Sequence, residues 1–86
     1  MSQATKTQTK KVEIYSTPSC VYCGMARDFF RKNNIQYDTF DVLSDLEKRK
    51  EMIEKSGQMG VPVITVGDEL VVGFDQRRLS KILGVK

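Results

Sequence analysis

The chain predicts an α/β fold: a four-stranded mixed sheet flanked by three helices, in the order βαβαββα. Three observations predict it. A β-rich run, a helix-sized amphipathic run and a second β-rich run follow one another from Val12 to Val42, which makes the two strands parallel neighbours across a helical crossover. Two further apolar runs, "VPVITV" and "ELVV", flank Gly67-Asp68, a two-residue hairpin signal that makes them antiparallel. A length of 86 residues has room for one small domain with a single core.

Val12 to Ser16, "VEIYS", alternates in strand fashion and is ended by Pro18, which has no amide hydrogen to donate. From Val21 the spacing predicts a helix, with Val21, Met25 and Phe29 on one stripe, Ala26 and Phe30 beside it, and Asn33 and Asn34 as C-terminal caps. Ile35 to Val42 alternates again and predicts the second strand. Ser44 and Glu47 fit a capping box for a second helix that stops at Gly57, with Leu46, Met52 and Ile53 as its narrow apolar stripe. Asp75 can cap a last short helix in which Leu79, Ile82 and Leu83 repeat at three and four residues.

Residues 1–10, "MSQATKTQTK", are polar and lack the apolar core of a secretory signal; they predict a solvated, disordered tail ahead of a domain spanning 11–86. The longest apolar run is strand-sized, far short of the ~20 residues of a membrane span. A net charge of +3, with acids interleaved among the bases, leaves no single basic face and argues against nucleic-acid binding. The expected location is the cytoplasm, and the expected state a monomer. In that reducing compartment a single cysteine pair points to catalysis or metal binding before it points to a permanent staple.

Cys20 and Cys23 are the chain's two cysteines, and it has no histidine. A structural zinc site needs four sulfur or nitrogen ligands, so two thiolates cannot complete one within a single chain. Cysteine-histidine nucleophilic catalysis falls for the same reason. A phosphate or arsenate loop would carry arginine after five intervening residues, where this chain has Ala26; Arg27 stands one position late. In the first turn of a helix, residues three apart have Cβ atoms ~5 to 6 Å apart, which a disulfide can close with little backbone movement. Cys20, at or next to the N-cap, faces the positive end of the helix dipole; cysteines so placed drop from about 8.5 into the range of roughly 3.5 to 7.5. Cys20 is therefore the expected nucleophile, and Cys23, a turn inside, the resolving thiol. Inert buried thiols, and a metal or cluster shared between chains, remain as alternatives on the residues alone.

With "CVYC" at a strand-to-helix junction, "GVPV" opening a later strand and "VGFD" after the hairpin, the sequence resembles the glutaredoxins and the related redoxins that reduce ribonucleotide reductase, all of thioredoxin-like fold. The resemblance runs from Lys11 to the C-terminal residue. It implies a thiol-disulfide oxidoreductase that reduces protein disulfides or glutathione mixed disulfides and maintains redox homeostasis. No permanently bound cofactor is implied. Glutathione is a candidate co-substrate, the electron donor being glutathione or thioredoxin reductase, and the partners are disulfide-containing proteins. It further implies a cis Val61-Pro62 peptide whose backbone pairs with a substrate cysteine, and a substrate groove of Thr17, Tyr22, Val61, Pro62, Gly73, Phe74 and Asp75.

Thr17, Gly60, Val72 and Gln76 depart from the glutathione-binding pattern of glutaredoxins, and Val21 replaces the proline usual between the cysteines. "CV-C" and "GF" lean toward the ribonucleotide-reductase redoxins. The plainer readings are that Tyr22 covers the helix start, Gly73 is a bend and Asp75 is only a cap. The competing function is a dimeric iron-sulfur carrier that uses Cys20 and thiols from outside the chain.

Overall fold

The computed structural model describes residues 10–85. The expected tail, apart from Lys10, lies outside them. The elements are β1 (Val12–Ser16), α1 (Val21–Lys32), β2 (Asp38–Asp41), α2 (Leu46–Ser56), β3 (Val63–Val66), β4 (Glu69–Val72) and α3 (Gln76–Leu83). The sheet order is β2-β1-β3-β4. β1 runs parallel to β2, with Ser16 opposite Asp41, and antiparallel to β3, with Ile14 opposite Ile64. The hairpin turns at Gly67, whose φ of 60° suits a residue without a side chain, and pairs Val66 with Glu69. This is the predicted α/β architecture.

Alternation along β1 divides the core. Val12 and Ile14 pack with Ala26, Phe29 and Phe30 of α1, Ile64 and Val66 of β3 and Leu79 of α3. Tyr15 points the other way, joining Val42, Met52 of α2 and Val63. Thus α1 and α3 cover one face and α2 the other. The α2 face also carries a polar cluster: Tyr15 Oη donates to Glu51 Oε2 at 2.5 Å, and Lys55 Nζ donates to Tyr15 Oη at 3.1 Å and pairs with Glu51 at 3.2 Å.

Four local expectations are corrected. The second strand covers Asp38–Asp41 rather than 35–42. Asn34 takes a left-handed φ of 58°, which turns the Ile35 amide back onto the Phe30 carbonyl at 2.8 Å and keeps it out of the ladder. The cap of α2 is Asp45, not Ser44: its carboxylate accepts the Lys48 amide at 3.1 Å, so the helix starts one residue later than the capping box predicts. Leu46, at the first helical position, is exposed and leaves the apolar stripe to Met52 and Ile53. Finally, the buried side of α1 is Cys23, Ala26, Phe29 and Phe30, while Val21 and Met25 face outward. Residues 23, 26 and 30 sit at helical intervals, so two apolar stripes overlap in this sequence and the sheet selects one.

Candidate active site

β1 ends at Ser16, and Thr17 to Cys20 carries the chain from the carboxyl end of that strand into α1. The turn closes with the Cys20 amide donating to the Thr17 carbonyl at 3.3 Å. Cys20 is the N-cap of α1, in extended conformation, and its Sγ accepts the Cys23 amide at 3.2 Å. That amide is one of the unpaired donors at a helix start, and it favours negative charge on sulfur. No acidic residue stands in the first turn to oppose it.

The two cysteines form a disulfide with their Cα atoms 5.2 Å apart. They are unequal. Cys20 is half-buried at the surface, whereas Cys23 is 0% exposed and belongs to the core with Ala26, Phe30 and Ile64. The outer sulfur is the one a disulfide substrate can reach, and the inner one can reach only its partner.

Around Cys20 the helix start exposes Val21 (73%) and Tyr22 (60%), and Met25 follows one turn on. Met59 and Val72 are also exposed, at 57% and 50%. Thr17 is half-buried and contributes no charge. Val61 is half-buried and packs against both core clusters, and the peptide joining it to buried Pro62 is cis, as the resemblance implied. The Pro62 carbonyl accepts the Gly73 amide at 2.7 Å, which ties two of the expected groove residues together. Gly73 has a φ of 84°, and nothing lies within 4 Å of where its Cβ would be. Phe74 meets the Phe29 ring edge-on at 6.0 Å. The Asp75 carboxylate caps α3, accepting the Arg78 amide at 3.1 Å.

A groove of about 300 Å³ beside α1 is lined by Met25, Phe29, Phe74 and Gln76 among others. Spacing alone puts Met25 on an apolar stripe with Val21 and Phe29; packing of Cys23, Ala26 and Phe30 against the sheet turns it outward. Among the described residues no group of three or more histidine, cysteine, aspartate or glutamate side chains could hold a metal ion. Nothing here favours the iron-sulfur alternative.

The family model for glutaredoxin matches residues 12–71. The chain belongs to the glutaredoxin family. It is 35% identical over 72 residues to a glutaredoxin-like 8.6 kDa protein in the rubredoxin operon of Clostridium pasteurianum, covering 84% of this chain and 96% of that protein. It is 30% identical over 74 residues to the glutaredoxin-like protein NrdH of Lactococcus lactis, covering 83% and 97%. A solved mutant of the thioredoxin-like protein BC3987 superposes with a TM-score of 0.84 at 29% identity, covering 88% of this chain and 97% of that one. With its cysteines at disulfide separation, this glutaredoxin-family chain is a thiol-disulfide oxidoreductase of thioredoxin-like fold. No helix of the described residues is long and apolar enough to cross a membrane.

Proposed function

We propose that this glutaredoxin-family chain reduces protein disulfides as a monomer in the cytoplasm, and is itself recharged by a thioredoxin-type reductase in preference to glutathione. The Cys20 thiolate attacks one sulfur of the client disulfide; that bond breaks, a Cys20-client disulfide forms, and one client thiolate leaves. The Cys23 thiolate then attacks Cys20 Sγ, the Cys20-Cys23 bond forms, and the second client thiolate departs. The client gains two electrons and the chain's dithiol loses two. Both leaving thiolates take up protons from solvent. The reductase, carrying electrons from a nicotinamide, reopens the disulfide.

The observation that carries the choice of donor is the exposed apolar surface of the helix start that holds Cys20. Val21 and Tyr22, next to Cys20 in the first turn, present hydrophobic surface, which suits a protein partner. Glutathione carries two carboxylates, and the positions matched to its usual contacts offer little: Thr17 has no charge and Gly60 has no side chain. The Gly60 amide is already taken by Gln58 Oε1 at 2.6 Å. In the proposed groove, Val61 offers backbone pairing, Tyr22 and Phe74 offer apolar contact, and Pro62 with Gly73 fixes the wall between them.

The oxidised protein, incubated with glutathione and glutathione reductase or with thioredoxin reductase and its nicotinamide donor, should regain two free thiols much faster in the second mixture. Faster recovery with glutathione would reverse the donor assignment. A Cys23→Ser variant should accumulate mixed disulfides on Cys20, and equal trapping by Cys20→Ser would overturn the division of roles.

A further inference from the structure

Resolution of the mixed disulfide requires Cys23 to lose its proton, and its surroundings oppose this. Cys23 is 0% exposed and packed in the apolar core, and burial penalises the charged form of a thiol. The helix-start amide nearest the pair is already directed at Cys20 Sγ. No proton acceptor of the usual kind is buried beside it: among the described residues the buried polar side chains are Ser16 and Thr65, and Thr65 is bonded to Glu13 at 3.2 Å. The chain has no histidine.

Arg27 is placed to compensate. It follows Cys23 by four residues, so the two share a helix face with Cβ atoms ~5 to 6 Å apart, and a helical side chain leans toward the N-terminus. The guanidinium does so here. Its Nη2 lies 4.0 Å from where a Gly24 Cβ would begin, and its Nη1 donates to the buried Ser16 hydroxyl at 3.5 Å. The group thus fills the junction between the end of β1 and the first turn of α1. Every other described arginine is exposed, and no carboxylate pairs with Arg27 among the described residues. Arg31, one turn on, is paired with Asp28 at 3.2 Å.

We infer that Arg27 is a positioning residue for the resolving step: its unpaired charge, held by Ser16, stabilises the Cys23 thiolate that displaces the client from Cys20. The inference rests on the dithiol reading, since it concerns the second of the two exchanges. No additional reactant is needed. Cys23 gives its proton to solvent, its sulfur forms the bond to Cys20 Sγ, and the client sulfur leaves with the electron pair of the broken bond.

The test separates the two steps. Reduced protein is mixed in stopped flow with one equivalent of an aromatic disulfide whose thiolate is coloured, and release is followed across pH. The first equivalent reports attack by Cys20 and the second reports resolution by Cys23. For Arg27→Gln and Arg27→Met, the first release should keep its rate, while the pH midpoint of the second rises by about one unit, equivalent to roughly tenfold slower resolution below the midpoint. Above both midpoints the rates should converge. Arg27→Lys, which restores charge without the planar fork, should recover most of the shift. An unchanged midpoint in both neutral variants would overturn the inference, as would slowing that is equal at every pH or is not rescued by lysine. Absence of any second release from the unaltered chain would instead overturn the dithiol reading.

Discussion

Replacing Tyr15 with phenylalanine isolates the polar cluster under α2. The ring is fully buried and stays in place against Phe40, whose centroid lies 5.4 Å away. Only the hydroxyl is lost, and with it a bond to the Glu51 carboxylate and one from the Lys55 ammonium. A hydrogen bond to a charged group contributes ~1.5 to 3 kcal/mol when well shielded. Here Glu51 and Lys55 are 35% and 41% exposed, and they keep each other, so water and the remaining ion pair replace part of the loss. The net cost at neutral pH is about 1.5 kcal/mol, or a Tm lower by roughly 6 to 12 °C in a domain of this size. The acid limb carries the sharper test. Tyr15 is the largest cause holding the Glu51 carboxyl down at about 2 from its ordinary 4.5, ahead of Lys55. A depressed carboxyl stabilises above its unfolded value and loses that contribution as pH falls toward its folded one. The unaltered chain should therefore lose stability between about 4.5 and about 2 more steeply than Tyr15→Phe, and the two should converge near the lower end. Urea unfolding followed by circular dichroism at several pH values measures this. A difference that is absent at pH 7, or equally large at pH 2, would refute the reasoning.

Leu79 is fully enclosed between α3 and the sheet; Leu79→Ala should cost ~2 to 5 kcal/mol in the same unfolding assay, and a loss below about 1 kcal/mol would mean that α3 contributes little to the fold. Asp75→Ala should cost about 1 kcal/mol by removing the cap of α3, while Asp75→Asn, which still accepts the Arg78 amide, should remain close to the unaltered chain. A fall in reductase rate for the asparagine variant at preserved stability would move that carboxylate from the cap to the substrate.

The hairpin and the parallel β1-β2 pair were legible because each rests on a local signal, Gly67-Asp68 in one case and a helix-length crossover in the other. The cysteine pair was legible for a chemical reason: a chain with two thiols and no imidazole leaves few reactions open. What failed depended on competition between neighbours. Ser44 and Asp45 are both good caps, and only the turn closed by the Asp45 amide on the Asp41 carbonyl, at 2.9 Å, settles which one starts α2. Val21 and Met25 satisfy helical spacing as well as Cys23 and Ala26 do, so the exposed rim was hidden inside a plausible core stripe. In the sequence Arg27 stands out only as an arginine one position late for a phosphate loop. Its contact with Ser16 joins residues eleven apart across a strand-helix junction, which no periodicity reports.

A single strand connects these features. Alternation along β1 sends Tyr15 toward α2 and Ile14 and Ser16 toward α1, so the residue that anchors the acid-sensitive cluster and the one that holds Arg27 are adjacent in sequence and on opposite faces. The chain then leaves Ser16 for the turn that delivers Cys20. A one-residue slip of β1 would exchange the two faces, placing the tyrosine among the α1 side chains and removing the serine from Arg27. Register is fixed on both sides, by Ser16 opposite Asp41 and by Val12 opposite Val66. The geometry of the thiol pair is therefore set by the pairing of the central strand as much as by the helix that carries the cysteines.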